Sequence, residues 1–424
     1  MSNVLVKIVP SEEGVKITLI SIANGDRYSI TTVKDDDEDK ENVITRVKAG
    51  RYRVEYPKSY FGPNSITIEE EQEYHLTVVH QINCIYTIDY NDWNNIKISC
   101  DSLQYLPQPF SNEWNSSPIF NEIVPVELCQ GKEIRSFPKE SVSSTNSDLM
   151  IRISRFGIGF NPESKIITVT NIAGLEGINY GAFGDSDYIY VGAYSSHIND
   201  EGILDSKDKC LPTTNKTAIE FENSAQLKGN NYHIMSYLQL VSLQLLFIIM
   251  AQGYKANGYS NGIIGNKKYS NIQDNFYMTG YDIPYYKYKN YKVDNGIKER
   301  DNNFWSNALN WKPCTNMYKL TSAPNQHSHF FGLEDFWGNT WEFVRNGSYN
   351  YRKMPVPAFI TSFDQKDCQL DEKHSIAYGG CVGMGNFSSP LLLSTNSLNY
   401  KSPLIGARLV YIPDQSEKTK KDSE

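Results

Sequence analysis

The sequence predicts a multidomain protein: an N-terminal all-β sandwich followed by an α+β domain rich in irregular loops. Three observations carry this. Residues 1–80 hold short, β-branched, roughly alternating segments separated by turn signals. Residues 234–250 form one long apolar run in which Leu238, Val241, Leu245 and Ile248 recur at helical spacing. From about residue 149 a series of local patterns follows, ending on a Gly- and Trp-rich stretch and a pair of glycines.

A chain of 424 residues has room for two or three domains. Its 40% hydrophobic and 21% charged content marks it as globular rather than disordered. The net charge of −8, with no basic cluster outside the short tail, argues against a nucleic-acid partner. The 29 Tyr and 6 Trp offer the rigid, amphipathic contact area of a recognition surface, and Tyr equally suits ordinary strands. The seven cysteines are odd in number, widely spaced and free of any C-x-x-C, which points to neither a disulfide framework nor a zinc cluster. The opening residues MSNVLVKI lack the features of a secretory signal, so the expectation is a chain made and folded in a reducing cytoplasm.

In order along the chain, strands are expected at 4–9, 15–20, 27–33, 52–56, 65–68 and 74–79. Turns fall at Glu13-Gly14, Asn24-Gly25, Ala49-Gly50 and Gly62-Pro63. This is the spacing of a small antiparallel sandwich, a docking or spacer domain over 1–80. The acidic run at 34–41 reads as a solvated hairpin loop, because no Gly sits where a calcium loop requires one. Residues 81–148, broken by Pro107, Pro109, Pro118 and Pro125, are expected to be a strand-rich connecting region and linker. The second domain is placed at 149–413, and the charged end, 414–424, as a disordered tail. The 234–250 run contains Ser236, Gln239, Ser242 and Gln244 and has no basic flank, so it is expected to be a buried helix rather than a membrane span.

The second domain carries LMIRISRF at 149–156, YIYVGAY at 188–194 and MAQGYKAN at 250–257. It then carries FGLEDFWGNTWEF at 331–343, Gly379-Gly380, and GARLV at 406–410. Gly332 and Gly338 suit positive φ or close packing, and Asn339 can satisfy backbone groups in such a turn. Trp337 and Trp341 supply apolar payload. Glu342 would be costly to bury unpaired, and Arg408 is a candidate distant partner. His327 and His329 have no carboxylate or Cys at ligand spacing and read as solvent-facing. Glu334 and Asp335 are strand neighbours and point to opposite faces. No G-x-S-x-G, P-loop or H-E-x-x-H occurs.

These residues resemble a known family. The 331–343 stretch is similar to the G-L-x-D-M-x-G-N-V-W-E-W signature of formylglycine-generating-enzyme-like domains, relatives of the C-type lectin fold. Gly379-Gly380 resembles the family's R-G-G-S-W strand, and Gly406 to Arg408 its closing G-F-R. The earlier patterns resemble the forms of this domain in tail-associated proteins of phages infecting Bacteroides-like bacteria. Over the first 80 residues, the KAGRYRV pattern at 48–54 resembles one strand of Ig- or PEGA-like sandwiches. The family implies a structural signature of Gly332, Asp335, Trp337, Gly338, Asn339, Trp341, Glu342, Gly379, Gly380, Gly406 and Arg408. It also implies candidate calcium ligands at Asn339 and Glu342. The family's copper-binding cysteine pair is missing: Cys381 stands where Ser is expected, and Met384 and Ser389 where the two cysteines would be. No copper and no catalysis are therefore expected.

Binding remains. Some relatives are targets of diversity-generating retroelements, varied between the Gly-Gly strand and the closing motif. The matching loop here, 381–405, supplies the candidate surface Met384, Asn386, Phe387, Ser388, Ser389, Asn396, Ser397, Asn399 and Tyr400, with the Asn, Ser and Tyr of a paratope. The resemblance implies a non-catalytic bacteriophage virion protein, associated with a tail or head fibre and with a host-cell glycan or protein as ligand. Other virion proteins would dock on the N-terminal region, and the chain would be a homo-oligomer, a trimer in many such proteins. The alternatives are a purely structural virion decoration, or an enzyme with altered, non-copper chemistry.

Overall fold

The structure is a computed structural model. It describes residues 1–9, 14–32, 42–57, 60–61, 65–68, 70, 73–80, 82–92, 95–136, 147–207, 210–253, 329–345, 359–360, 374–381, 384 and 388–413. The acidic run at 34–41, His327, most of the linker and the C-terminal tail lie outside the described residues.

The N-terminal unit contains β1 (Ser2–Val9), β2 (Lys16–Ser21), β3 (Arg27–Thr31), β4 (Asn42–Val47), β5 (Gly50–Glu55), β6 (Tyr60–Phe61), β7 (Ser65–Ile68) and β8 (Glu73–His80). They form two four-stranded sheets, ordered β4-β1-β8-β6 and β3-β2-β5-β7. Val4, Val6, Ile17, Leu19, Tyr52, Val54, Ile66 and Leu76 make one core. Alternation drives this: in β5, Tyr52 and Val54 point inward, while Arg53 and Glu55 point out and pair with each other at 2.7 Å. The six expected strands are present, and two further strands join them. In β4, Arg46 adopts φ 59° and the register with β1 shifts, so its buried residues, Ile44 and Val47, fall out of period-2 alternation. The unit is not purely antiparallel, because β1 and β8 run parallel.

The larger unit begins earlier than its sequence patterns. β9 (Ile85–Asp89), β10 (Lys97–Cys100), β11 (Ile123–Cys129) and β12 (Lys132–Ser136) come from the stretch expected to be a connector. They are followed by β13 (Ser147–Ser154), β14 (Gly157–Asn161), β15 (Ile166–Thr170), β16 (Ile178–Asn179), β17 (Tyr188–Gly192), β18 (His197–Ile198) and β19 (Leu204–Asp205). After α1 (Ala218–Gln226) come β20 (Tyr232–Ile234) and α2 (Tyr237–Ala251). The last strands are β21 (His329–Phe330), β22 (Leu333–Glu334), β23 (Trp341–Val344), β24 (Phe359–Ile360), β25 (His374–Gly379), β26 (Ser389–Ser397), β27 (Ile405–Ala407) and β28 (Leu409–Tyr411). Three larger sheets result: β10-β9-β15-β14-β16, β12-β11-β13-β17-β28-β20 and β24-β26-β25-β23-β27. β9 pairs with β15 and β11 with β13, so residues 85–136 are built into these sheets and share a single core with residues as distant as Val410. Such partners are non-local, and nothing in the local pattern of 81–136 names them.

Helix α2 is buried on nearly every side, as its all-round apolar character requires. Its Ser and Gln side chains are all engaged. Ser236 and Gln239 form a reciprocal cap, Gln239 Nε2 donates to the Ala182 carbonyl at 3.0 Å, and Ser242 Oγ donates to the Leu238 carbonyl. Gln244 Nε2 donates to the Pro390 carbonyl at 2.7 Å, tying the helix to β26. Among the described residues, no helix is long and apolar enough to cross a membrane.

Candidate functional site

The signature residues assemble around one buried ion pair. β23 runs between β25 and β27, which places Glu342 opposite Tyr378 on one side and Gly406 on the other. Arg408 follows β27 and precedes β28, where the chain passes from the third sheet into the second. Its guanidinium uses all five N–H donors. Nε donates to Glu342 Oε2 at 2.9 Å, and Nη2 donates to Glu342 Oε1 and to the Glu334 carbonyl, both at 2.7 Å. Nη1 donates to the carbonyls of Gly192 at 2.9 Å and Ala193 at 3.2 Å, at the end of β17. Glu342 is equally saturated: Ser195 Oγ donates to Oε1 at 2.7 Å, and the Tyr378 hydroxyl donates to Oε2. The pairing of Glu342 with Arg408 anticipated from the sequence is thus present, and it staples two sheets together.

The electrostatics match. Burial would lower the Arg408 guanidinium, but the Glu342 charge and hydrogen bonds, with a further contribution from Tyr378, together outweigh it, so Arg408 stays protonated. Burial, then the Glu342 charge, pushes the Tyr378 hydroxyl well above its ordinary value, so it remains a donor. Close approach needs small residues: a Cβ on Gly192 would lie 2.9 Å from Ser206 Oγ, and one on Gly406 would lie 3.0 Å from the Thr213 carbonyl oxygen.

The 331–343 turn wraps over this pair. Gly332 and Gly338 take φ 81° and 86°, and Phe331, Asp335 and Asn339 are also left-handed. Asn339 Nδ2 donates to Asp335 Oδ2 at 2.9 Å, bracing two strained positions against each other. Trp337 is fully buried against Phe247 of α2, with ring centroids 5.6 Å apart. Gly379, at φ 96°, accepts from the Gly338 N–H and leaves no room for a Cβ beside Trp337. The two carboxylate oxygens of Glu342, named from the family as a calcium ligand, accept four hydrogen bonds from protein groups. A cation there would have to displace them.

The candidate surface divides. Residues 381–405 are not one loop: Leu391, Leu392 and Leu393 are buried in β26, an inner strand. Ser388, expected on the surface, is fully buried against Gly380, whose added Cβ would lie 2.7 Å from its Oγ. Met384 packs partly against the core, and Ser389 Oγ accepts from the Leu391 N–H at 3.2 Å. Asn386 and Phe387 lie outside the described residues. Cys381 is buried, and burial lifts its thiol to about 11 with a partly offsetting hydrogen bond to Trp341. At the far end of β26, Ser397, Asn399 and Tyr400 are exposed and Asn396 half-buried. The Tyr400 N–H donates to the Ser397 carbonyl at 2.9 Å, closing a turn. Buried Ser402 anchors its base by accepting from the Asn215 N–H.

Sequence patterns missed what adjoins this turn. Lys401 Nζ donates to Glu220 Oε1 at 2.8 Å, bringing Tyr400 near the start of α1, where Ile219 is exposed. The local signal was the start of α1: Thr217 and Glu220 make its capping box and flank an exposed Ile219.

No protein-family model matches the chain, and no curated protein matches it. Among solved structures, it is similar to PvdO from Pseudomonas aeruginosa, with TM-score 0.28 and 12% identity over 63% of this chain and 95% of that one. It is also similar to Treponema denticola variable protein 1, with TM-score 0.24 and 13% identity over 64% of this chain and 98% of that one. Likeness at this level carries no argument about fold or function.

Proposed function

We propose that this chain is a non-catalytic bacteriophage virion protein whose larger unit displays a C-type-lectin-like binding surface toward a host-cell glycan or protein. Its working surface is the turn 397–401 with the adjoining start of α1. One observation supports this most: two of the charged signature groups, Glu342 and Arg408, are completely consumed by each other and by buried protein partners. They brace the scaffold and leave nothing free for chemistry. Asn399, Tyr400 and Lys401, by contrast, stand exposed on an anchored turn. Exposed Tyr and Asn on a rigid base suit adaptable recognition.

Two measurements test the reading. Particle proteomics should find the protein in purified virions, and the purified chain should adsorb to host cells. Tyr400→Ala and Asn399→Ala should each keep the thermal unfolding of the parent and lose at least about tenfold in adsorption, the loss of one good contact of about 1.4 kcal/mol. Absence from particles together with no host affinity would sink the proposal. Presence in particles with unchanged adsorption after replacing the 397–401 turn would favour a purely structural decoration.

A further inference from the structure

Among the described residues, Cys84, Cys100 and Cys381 are buried free thiols. Two of them are neighbours in space. In the β9–β10 pairing Cys100 stands opposite Tyr86, and Cys84, two residues before Tyr86, lies on the same face. Both are buried, Cys84 completely and Cys100 at 8% exposure. Adjacent strands and a shared buried face bring the two side chains side by side. The backbone fixes this juxtaposition from both sides. The Cys84 N–H donates to Asn171 Oδ1 at 3.0 Å, and its carbonyl accepts from Thr170 Oγ1 at 2.7 Å. Next to it, the Ile85 N–H donates to Asp101 Oδ1 at 2.7 Å, and the Asp101 N–H returns a bond to the Ile85 carbonyl at 3.2 Å.

We propose that Cys84 and Cys100 are a redox-active dithiol, which closes to a disulfide when the chain meets a low-molecular-weight disulfide such as oxidised glutathione. Cys100 is the entry point, since it is the less buried of the two and its sulfur lies 3.3 Å from Ser102 Oγ. The hydrogen bond from Cys84 holds the Cys100 thiol below its ordinary value, and the same contact, with burial, pushes Cys84 up. The Cys100 thiolate attacks one sulfur of the small disulfide and expels one thiolate, leaving a mixed disulfide on Cys100. The expelled thiolate takes up the Cys84 proton. The Cys84 sulfur then attacks Cys100, forms the internal S–S bond and releases the second small thiol, which takes a proton from solvent. The protein loses two electrons and two hydrogens, and the small disulfide gains them. The product pins β10, an edge strand, to the inner strand β9. Edge strands are where open sheets fray or recruit other chains, so the crosslink closes a weak border of the larger unit.

The full-length chain is equilibrated with oxidised glutathione, unfolded in the presence of an alkylating agent, and mapped by peptide mass spectrometry without reduction. The expected result is a Cys84–Cys100 crosslinked peptide and a fall in titratable thiols from the seven in the sequence toward five. The melting temperature should rise by a few degrees and fall back on adding reductant, as a short-loop crosslink implies. The Cys84→Ser chain should instead trap glutathione on Cys100, and its melting temperature should not respond to the oxidant. Should that variant not fold, the wild-type map decides alone. Full alkylation of both Cys84 and Cys100 after oxidation would overturn the proposal, as would stable glutathione adducts on wild-type Cys100.

Discussion

Two ion pairs reach across the larger unit and behave oppositely. Arg408 and Glu342 join distant segments with both side chains essentially buried. Lys401 and Glu220 join segments still farther apart in the chain, with 47% and 39% of their side chains exposed. Seven residues separate Arg408 from Lys401, yet one closes a junction between two sheets and the other sits on a rim. The buried pair is a constraint, because removing either partner strands a charge in low dielectric. The exposed pair is screened, and its neighbours are free to change. A scaffold built this way separates what must stay from what can vary.

The sharpest break in that comparison is Arg408→Met. It leaves Glu342 without its countercharge and takes one donor from each of three carbonyls, and should cost about 3–5 kcal/mol in urea unfolding. Arg408→Lys should recover little of this, because one ammonium cannot serve acceptors spread over a five-donor fork. Next comes Gly380→Ala, where left-handed strain adds to a Cβ 2.7 Å from Ser388 Oγ, for about 2 kcal/mol by thermal or urea melting. Gly174→Ala is its control: φ is +76° with nothing within 4 Å, so strain alone should cost about 1 kcal/mol.

On the exposed side the effects shrink. The hydrogen bond from Lys401, then that from the Thr217 N–H, lowers Glu220 from 4.5 to about 2. A lowered carboxylate stabilises the fold above its unfolded value and loses that stabilisation as pH falls through its folded one. The gap between wild type and Glu220→Gln should therefore be present above pH 4.5 and close toward pH 2 in denaturation curves. At this exposure the gap should not exceed about 0.5 kcal/mol. Smallest of all, Tyr400→Ala should leave stability within about 0.5 kcal/mol while weakening adsorption at least about tenfold. A large loss of stability there would end the distinction between brace and surface.

Much of this was legible in local sequence. The six N-terminal strands followed from alternation, and the helix over 237–251 followed from its apolar run. β4 was not legible, since the left-handed Arg46 breaks its period. Glycines at 332 and 338 announced positive φ, but Phe331 and Asp335 share that conformation without being glycine. Ser388 looked like loop surface by composition, yet Leu391, Leu392 and Leu393 draw the segment into an inner strand and Ser388 is pulled under Gly380. The adjacency of Cys84 to Cys100 depended on a strand pairing that spacing between cysteines cannot reveal.

By itself, then, the sequence determined the local elements: where chain alternates, where it coils, where it turns left-handed, and that a buried Glu342 would demand a cation. Those features depend on residues within a turn or two of each other. The tertiary structure alone decided that residues 85–136 belong to the larger unit, that Arg408 sits where two sheets meet, and that Lys401, next to Tyr400, reaches Glu220 at the start of α1. Sheet pairing joins residues far apart in the chain through backbone groups that every residue possesses, so the partner is chosen by the packing of the whole core and not by any local pattern.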